Sequence, residues 1–505
     1  MYGSASRVIL LISGILIGFY MMPFLVHNLG NEYYGLWILA SSVVAFYSLI
    51  DFGLSFAMQR YLIQAIHGED TEEVNATLST SITLTAGFSI LAIIISFVIF
   101  WISPFFMEDS LHQELFGLLI LIMGFKAAFQ ITLFPFYGVL VAHYNYTSIS
   151  YTQLFMLLAR TFLIIVFIEN GYDLIAMAII LFVTDLFGSV LIAYKAFKIQ
   201  PGLKVDIKLF SRSKLLVYIN YGKYVFFIES GDRVKLSIDD IIIASLISVG
   251  AVTHYTIAHT LVSYLTSFSD SILGVLTPVF NRYHKLEQWG EMRTTFSAMS
   301  DISAYLSILL GGGLIVFGYD FIQLWMGSEY LDTYPALAIL CTTEIIVKSQ
   351  TPVVISLFAT ARHKYLAALV GVETLVNLII SIALAPYLGI TGVALGTAIP
   401  AIIVYLIFLP PYACKIIGVS VKRYYLSLFK FMSLSFLVFL MAGLMNKYYP
   451  STTYIELLIK SFFVFVVYSL FSFRFIVSFQ TKLFLNGYIS QNYRQAWVLL
   501  SGFKH

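Results

Sequence analysis

The 505-residue sequence is short of charge: Lys and Arg number 29 and Asp and Glu 27, together 11% of the chain. Soluble globular proteins carry about a quarter, so an ordinary soluble enzyme is excluded. Cysteine is scarce too. Cys341 and Cys414 lie in or beside apolar stretches rather than in spaced pairs, which excludes a disulfide scaffold and a thiolate zinc site. The formal net charge of +2 gives no whole-molecule field for or against an anionic partner, and nucleic acid is not expected as one. What the chain has instead is apolar length, with 59% hydrophobic residues and a mean hydropathy of +0.88.

A helix that crosses a bilayer needs about 20 apolar residues, and fourteen charge-poor runs supply them. The first seven are Val8 to Val26, Gly35 to Met58, Leu78 to Trp101, Leu115 to Ala142, Ile149 to Ile168, Leu174 to Tyr194 and Leu215 to Leu246. The second seven are Ala251 to Val279, Phe296 to Trp325, Tyr334 to Phe358, Leu366 to Ala385, Gly392 to Ala413, Tyr424 to Met445 and Ile455 to Phe473. None alternates polar with apolar as a lipid-facing strand does, so the expected class is an all-α polytopic membrane protein. The first run follows Arg7, lacks a small-residue cleavage site and is read as an uncleaved anchor.

Basic residues orient the spans. With the N-terminus inside, 20 of the 29 Lys and Arg fall on one side, eight lie within spans and Lys447 alone lies outside. Both termini and the basic connection Lys195 to Lys214 are therefore expected in the cytoplasm. That connection also divides a faint repeat. Leu29-Gly30 before the second span answers Val249-Gly250 before the eighth, Pro135 answers Pro352, and Gly171 to Ala176 answers Gly389 to Ala394. An even number of spans per repeat makes the halves enter the membrane in the same sense, related by an axis along its normal. The expected domains are a six-helix bundle over 1–200, a second over 201–415 around a central cleft, and two further helices with a tail over 416–505.

The stretch Leu29-Gly30-Asn31-Glu32-Tyr33-Tyr34-Gly35-Leu36-Trp37, followed by Asp51-Phe52-Gly53-Leu54, resembles the N-terminal signature of Wzx-type polysaccharide flippases. These form the polysaccharide-transporter branch of the MOP superfamily, which also holds the MATE drug exporters and the lipid II flippase MurJ. Asp240 leading to Gly250, Tyr255 to Ala258, and Gly389-Ile390-Thr391-Gly392-Val393-Ala394 look like that family's patterns in the second half. The resemblance covers most of residues 1 to 415 and departs at Thr253, where the family usually has glycine. It implies a MOP/MATE-like fold and a bacterial inner-membrane flippase for undecaprenyl-diphosphate-linked oligosaccharide, with membrane lipids around it, a proton or sodium ion as possible coupling ion, and no cofactor.

Ionisable groups at mid-bilayer are costly and are functional candidates by default. Lys126 stands twelfth in a span of 28, Arg160 twelfth in one of 20 and Lys348 fifteenth in one of 25. These three, with Arg233 and Lys235 nearer the cytoplasm, are the candidate diphosphate ligands, Arg by bidentate bonds and Lys as point charges. Internal pairing is the alternative: Glu344 with Lys348, Lys235 with Asp239 and Glu229 with Arg233 are i,i+4 pairs, and Asp185 could reach Arg160. Lys126, with no acid within a turn, is the best single candidate. Asp51, Asp185, Asp270 and Glu373 are the candidate ion-coupling carboxylates. His254 and His259, five apart, are read as packing residues rather than a metal pair.

Two other functions compete. A MATE-like exporter of small organic cations would want an acidic cleft, which Lys126 and Arg160 argue against. A membrane-embedded polysaccharide polymerase or ligase needs long external loops for its catalytic groups, and none here exceeds about a dozen residues.

Overall fold

The computed structural model describes residues 2–68, 70–105, 110–476 and 481, with backbone alone at 2–5, 105, 110–111, 221–225, 227–236, 275, 363 and 476. Among the described residues every regular element is helical. The chain forms two compact units, residues 1–253 and 254–505.

The first unit holds α1 (Tyr2–Leu29), α2 (Asn31–Ala45), α3 (Leu54–His67), α4 (Thr71–Ile102), α5 (Ser110–Ala142), α6 (Tyr146–Glu169), α7 (Leu174–Ile199) and α8 (Arg212–Leu246). Side-chain caps set several of the starts. The Asp70 carboxylate accepts from the amides of Glu72 and Glu73, Asn145 from Ser148, and Asp173 from Ile175, each satisfying an amide that lacks an intrahelical partner. Helix α5 packs on α4, α7, α3 and α2, and so lies at the centre of the unit. Its contact with α4 is built from small and hydroxylated residues, as close approach in lipid requires. Ser89 Oγ lies 2.6 Å from the Ala128 carbonyl and 2.7 Å from Thr132 Oγ1, and Ser96 Oγ lies 2.8 Å from the Tyr47 hydroxyl.

The unit boundary falls inside α9 (Val249–Leu273). It comes later than the basic connection at 200/201, because α8 packs on α2, α3 and α4. The second unit continues with α10 (Thr277–Lys285), α11 (Trp289–Trp325), α12 (Tyr334–Ser349), α13 (Thr351–Ala359), α14 (His363–Ile403), α15 (Leu409–Ile417), α16 (Val421–Tyr448) and α17 (Tyr454–Phe471). Here α11 is central, packing on α12, α16, α17 and α13. Its core gathers Phe280, Phe296, Phe431 and Tyr468, each at most 1% exposed.

The repeat expected from three sequence markers recurs in the helix boundaries. The starts of α2 and α9, of α4 and α11, and of α6 and α14, like the ends of α3 and α10 and of α7 and α15, differ by 217 or 218 residues. Gly171 and Gly389 both take positive φ, 83° and 58°, at corresponding breaks. Gly171 separates α6 from α7, and Gly389 kinks the continuous α14, so each supplies a left-handed residue at low cost. Pro135 rides inside an unbroken α5, whereas Pro352 opens α13 after a break at Gln350.

Each of the fourteen predicted spans lies on helix, but the count of fourteen is not reached by length and apolarity. Ten helices among the described residues pass, or eleven if α2 and α3, bent by 54°, form one broken span. One passing stretch, Lys364–Ile417, contains two predicted spans. Helix α9 misses the mark because polar residues run through it, among them His254, His259 and Asp270. The second predicted span, Gly35 to Met58, is interrupted where Phe52 and Gly53 take positive φ.

A Cβ on Gly124 would come within 1.9 Å of Ser96 Oγ and 2.8 Å of Ser96 Cβ, whereas Gly14 has nothing within 4 Å. Gly124→Ala must therefore push α5 off α4 or break the Ser96–Tyr47 bond. It is expected to cost about 1–3 kcal/mol and to lower the melting temperature in detergent by several degrees, with Gly14→Ala unchanged as the control. Equal melting curves for the two would show that α4 and α5 yield without cost.

Candidate functional site: two cations on one carboxylate

Three helices of the first unit bring charges to one point. Lys126 Nζ on α5 lies 3.0 Å from Asp185 Oδ2, and Arg160 Nη1 on α6 lies 3.2 Å from Asp185 Oδ1. Gln130, one turn after Lys126, donates its side-chain amide to Asp185 Oδ2 at 3.2 Å. Asp185 on α7 thus accepts three bonds at two oxygens while its side chain is 14% exposed. Two cations against one carboxylate leave the group with a net positive charge.

The arrangement corrects one sequence expectation. Lys126 has no acid within a turn of its own helix, yet it is paired, through a residue 59 positions away on another helix. It also separates two roles. Lys126 and Gln130 line a cavity of about 340 Å³ together with Trp37, Ser41, Tyr47 and Ser48. Arg160 does not line it, and its guanidinium acts on Asp185 from the side. A second cavity of about 290 Å³ shares Tyr47, Ser48, Gln130 and Ile131 with the first and reaches Asp51.

Asp51 lies at the break between α2 and α3, where its Oδ1 accepts from the Gly53 amide at 2.8 Å. In the second unit, Lys348 Nζ on α12 meets both oxygens of Asp270 on α9, at 2.8 and 2.9 Å. Glu344, the expected i,i+4 partner, instead accepts from Thr266 Oγ1 at 3.3 Å. Glu373 is buried on α14 at 2% exposure. The side chains of Arg233 and Lys235 lie outside the described residues. His254 Nδ1 lies 2.8 Å from Asp332 Oδ1, and the His259 ring stacks beside Tyr255. Among the described residues no three His, Cys, Asp or Glu side chains converge as metal ligands do.

Two features go beyond the sequence reading, the partner of Thr253 and a large cavity. The Thr253 hydroxyl, at the position where the resemblance expects glycine, donates to the Asn31 carbonyl at 2.6 Å. Nearby, a Cβ on Gly35 would meet the Val249 carbonyl oxygen at 2.1 Å. The larger feature is a cavity of about 840 Å³ in the second unit, walled mainly by apolar residues of α11, α12 and α16 such as Ile308, Val316, Phe436 and Leu440, with Asp320 and Lys447 at its edge. Individual spans do not show such spaces, which arise from which helices pack together.

The fold is like that of the lipid II flippase MurJ and of MATE transporters. The chain superposes on the lipid II flippase MurJ in its inward closed conformation with a TM-score of 0.69 at 16% identity, covering 93% of this chain and 97% of that one. An inward-facing MATE multidrug resistance transporter gives 0.64 at 14% identity, over 81% and 99%. A family model described as polysaccharide biosynthesis protein matches residues 25–335, and the chain belongs to that family. The membrane protein EpsK of Bacillus subtilis (strain 168) is 23% identical over 82% of this chain and 83% of its own length.

Proposed function

We propose that this protein is a flippase that moves undecaprenyl-diphosphate-linked oligosaccharide from the cytoplasmic to the outer leaflet of a bacterial inner membrane by alternating access. The observation that carries the reading is the net positive group of Lys126, Arg160 and Asp185 beside a cavity in a membrane bundle. A diphosphate is a compact anion with oxygens for charge-assisted hydrogen bonds. Lys126 supplies the charge that faces the cavity, Gln130 supplies a neutral donor through the second hydrogen of its side-chain amide, and Arg160 offsets Asp185 so that the acid does not repel the ligand. A small organic cation would meet the wrong sign. Family membership in polysaccharide biosynthesis supports the sugar-bearing cargo, and a transporter's fold supports movement without chemical change.

Lys348 belongs to the same reading with a smaller share, since Asp270 neutralises it, and Arg233 and Lys235 are assigned to the cytoplasmic mouth. Coupling to a proton or sodium ion is assigned to the four candidate carboxylates Asp51, Asp185, Asp270 and Glu373, of which Glu373 is the most buried.

Purified protein in liposomes tests the function. A fluorescent undecaprenyl-diphosphate oligosaccharide should cross between leaflets with the protein present and not in empty liposomes, while dye-like organic cations should not be transported. The orientation has its own test. A cysteine replacing exposed Glu329 should react with an impermeant thiol reagent in intact cells and one replacing exposed Ser213 should not, against a low background because Cys341 and Cys414 are buried. Reversed labelling would place the basic connection outside.

A further inference from the structure

The connection from Gln200 to Ser211 is not a free loop. It lies along the first turns of α4 and is pinned there by side chains on one face of that helix. Asn75 donates to the Gly202 carbonyl at 3.1 Å and accepts from the Lys204 amide at 2.8 Å. Ser79 donates to the Lys204 carbonyl at 3.4 Å and accepts from the Asp206 amide at 3.1 Å. Thr80 accepts from the Ser211 amide at 3.0 Å. Leu203 is turned into the core of the bundle, and Asp206 caps the single turn Ile207–Leu209.

The opposite face of this strap is unusual for a segment in water. Val205, Ile207, Leu209 and Phe210 are exposed, Ile207 by 73%, and they alternate with exposed Lys204, Lys208 and Arg212, with Lys198 nearby. Asp206 is the single acid between Lys195 and Lys214, against six basic residues. Non-helical backbone can lie at the edge of a bilayer when its amides and carbonyls are satisfied by protein, and the bonds from Asn75, Ser79 and Thr80 do this. Thr80 stands nine residues after the start of α4, about 13 Å along its axis, which brings the strap to the level where the apolar stretch of that helix begins.

We propose that the strap is an anionic-lipid-binding surface: Ile207 and its apolar neighbours insert among the acyl chains while Lys204, Lys208 and Arg212 hold the phosphates of acidic headgroups. Charge decides the occupant, because a neutral membrane would reward the apolar face alone. An exposed cationic row beside it matches the negative surface of the cytoplasmic leaflet, where each basic residue contributes about fivefold in affinity. The assignment of that leaflet rests on the orientation proposed above, whereas insertion itself does not.

The test uses the full-length protein in liposomes. Ile207→Trp should add fluorescence that brominated acyl chains quench and aqueous iodide does not, measured against the wild-type background. In lipid discs that mix phosphatidylglycerol with phosphatidylcholine, wild type should enrich phosphatidylglycerol, and the triple variant Lys204→Gln, Lys208→Gln, Arg212→Gln should lose about tenfold or more of that preference. Because Lys126 is untouched, the triple variant should keep its affinity for the diphosphate lipid, so failure here is distinguishable from failure of the flippase reading. Quenching by iodide instead of bromolipid, or equal phosphatidylglycerol preference in both proteins, would overturn the proposal, the first by pointing to a protein partner or a second copy on this face.

Discussion

Replacing Lys126 by Ala is expected to abolish surface polysaccharide in cells that depend on this protein, at unchanged protein level. Asp185 keeps Arg160 at 3.2 Å and Gln130 at 3.2 Å in that variant, so no acid is stranded and the bundle retains a neutral pair. What is lost is the cation that lines the 340 Å³ cavity. A missing charge-assisted hydrogen bond costs about 1.5–3 kcal/mol, or roughly one to two decades in binding. Lys126→Arg should keep part of the function, because the charge survives while the hydrogen-bond geometry changes. Arg160→Ala should be milder, since Arg160 reaches the cavity only through Asp185. Immunoblots beside polysaccharide quantification separate transport from folding.

Asp185→Ala should fail in the other way, by loss of protein. Without the carboxylate, two side chains that are 25% and 26% exposed keep their charges without a counter-ion. Leaving half-buried cations uncompensated costs about 1–3 kcal/mol, enough to lower the amount of folded protein several-fold. The double variant Lys126→Ala, Asp185→Ala should regain protein, because one of the two repelling charges is gone, and should still not export. If Asp185→Ala accumulates and exports like wild type, the three-way cluster has no structural role.

The difference between these two outcomes was not legible in the sequence, and the reason is physical. Local spacing reveals pairs on one helix, so it offers Glu344 to Lys348 and nothing to Lys126. In the folded bundle the partners come from neighbouring helices: Asp185 lies 59 residues from Lys126, and Asp270 lies 78 from Lys348. Asp185, in the span that follows, is within reach of Arg160 on the sequence, and that pair is present. Depth locates a charge along the membrane normal but says little about which neighbour it faces.

The helical class and the positions of the spans were legible, since unbroken apolar runs leave the backbone no other way to satisfy its hydrogen bonds in lipid. The breaks were less so. Asp51-Phe52-Gly53 carries no helix-stopping proline, and its turn depends on positive φ at two adjacent residues. The spacing of 217 to 218 between helix boundaries turned three faint sequence markers into a repeat that runs through both units. The apolar cavity beside α16 had no marker, because its walls come from α11, α12 and α16, helices that the sequence does not pair.

The most direct test of the central claim is the affinity of the purified protein for an undecaprenyl-diphosphate lipid, measured by native mass spectrometry or microcalorimetry in wild type and Lys126→Ala at matched folding. Binding weaker by about one to two decades in the variant, with undecaprenol bound equally by both, is the predicted result. Equal diphosphate affinity in the two proteins would contradict the assignment of Lys126 to the diphosphate, and with it the site on which the flippase reading stands.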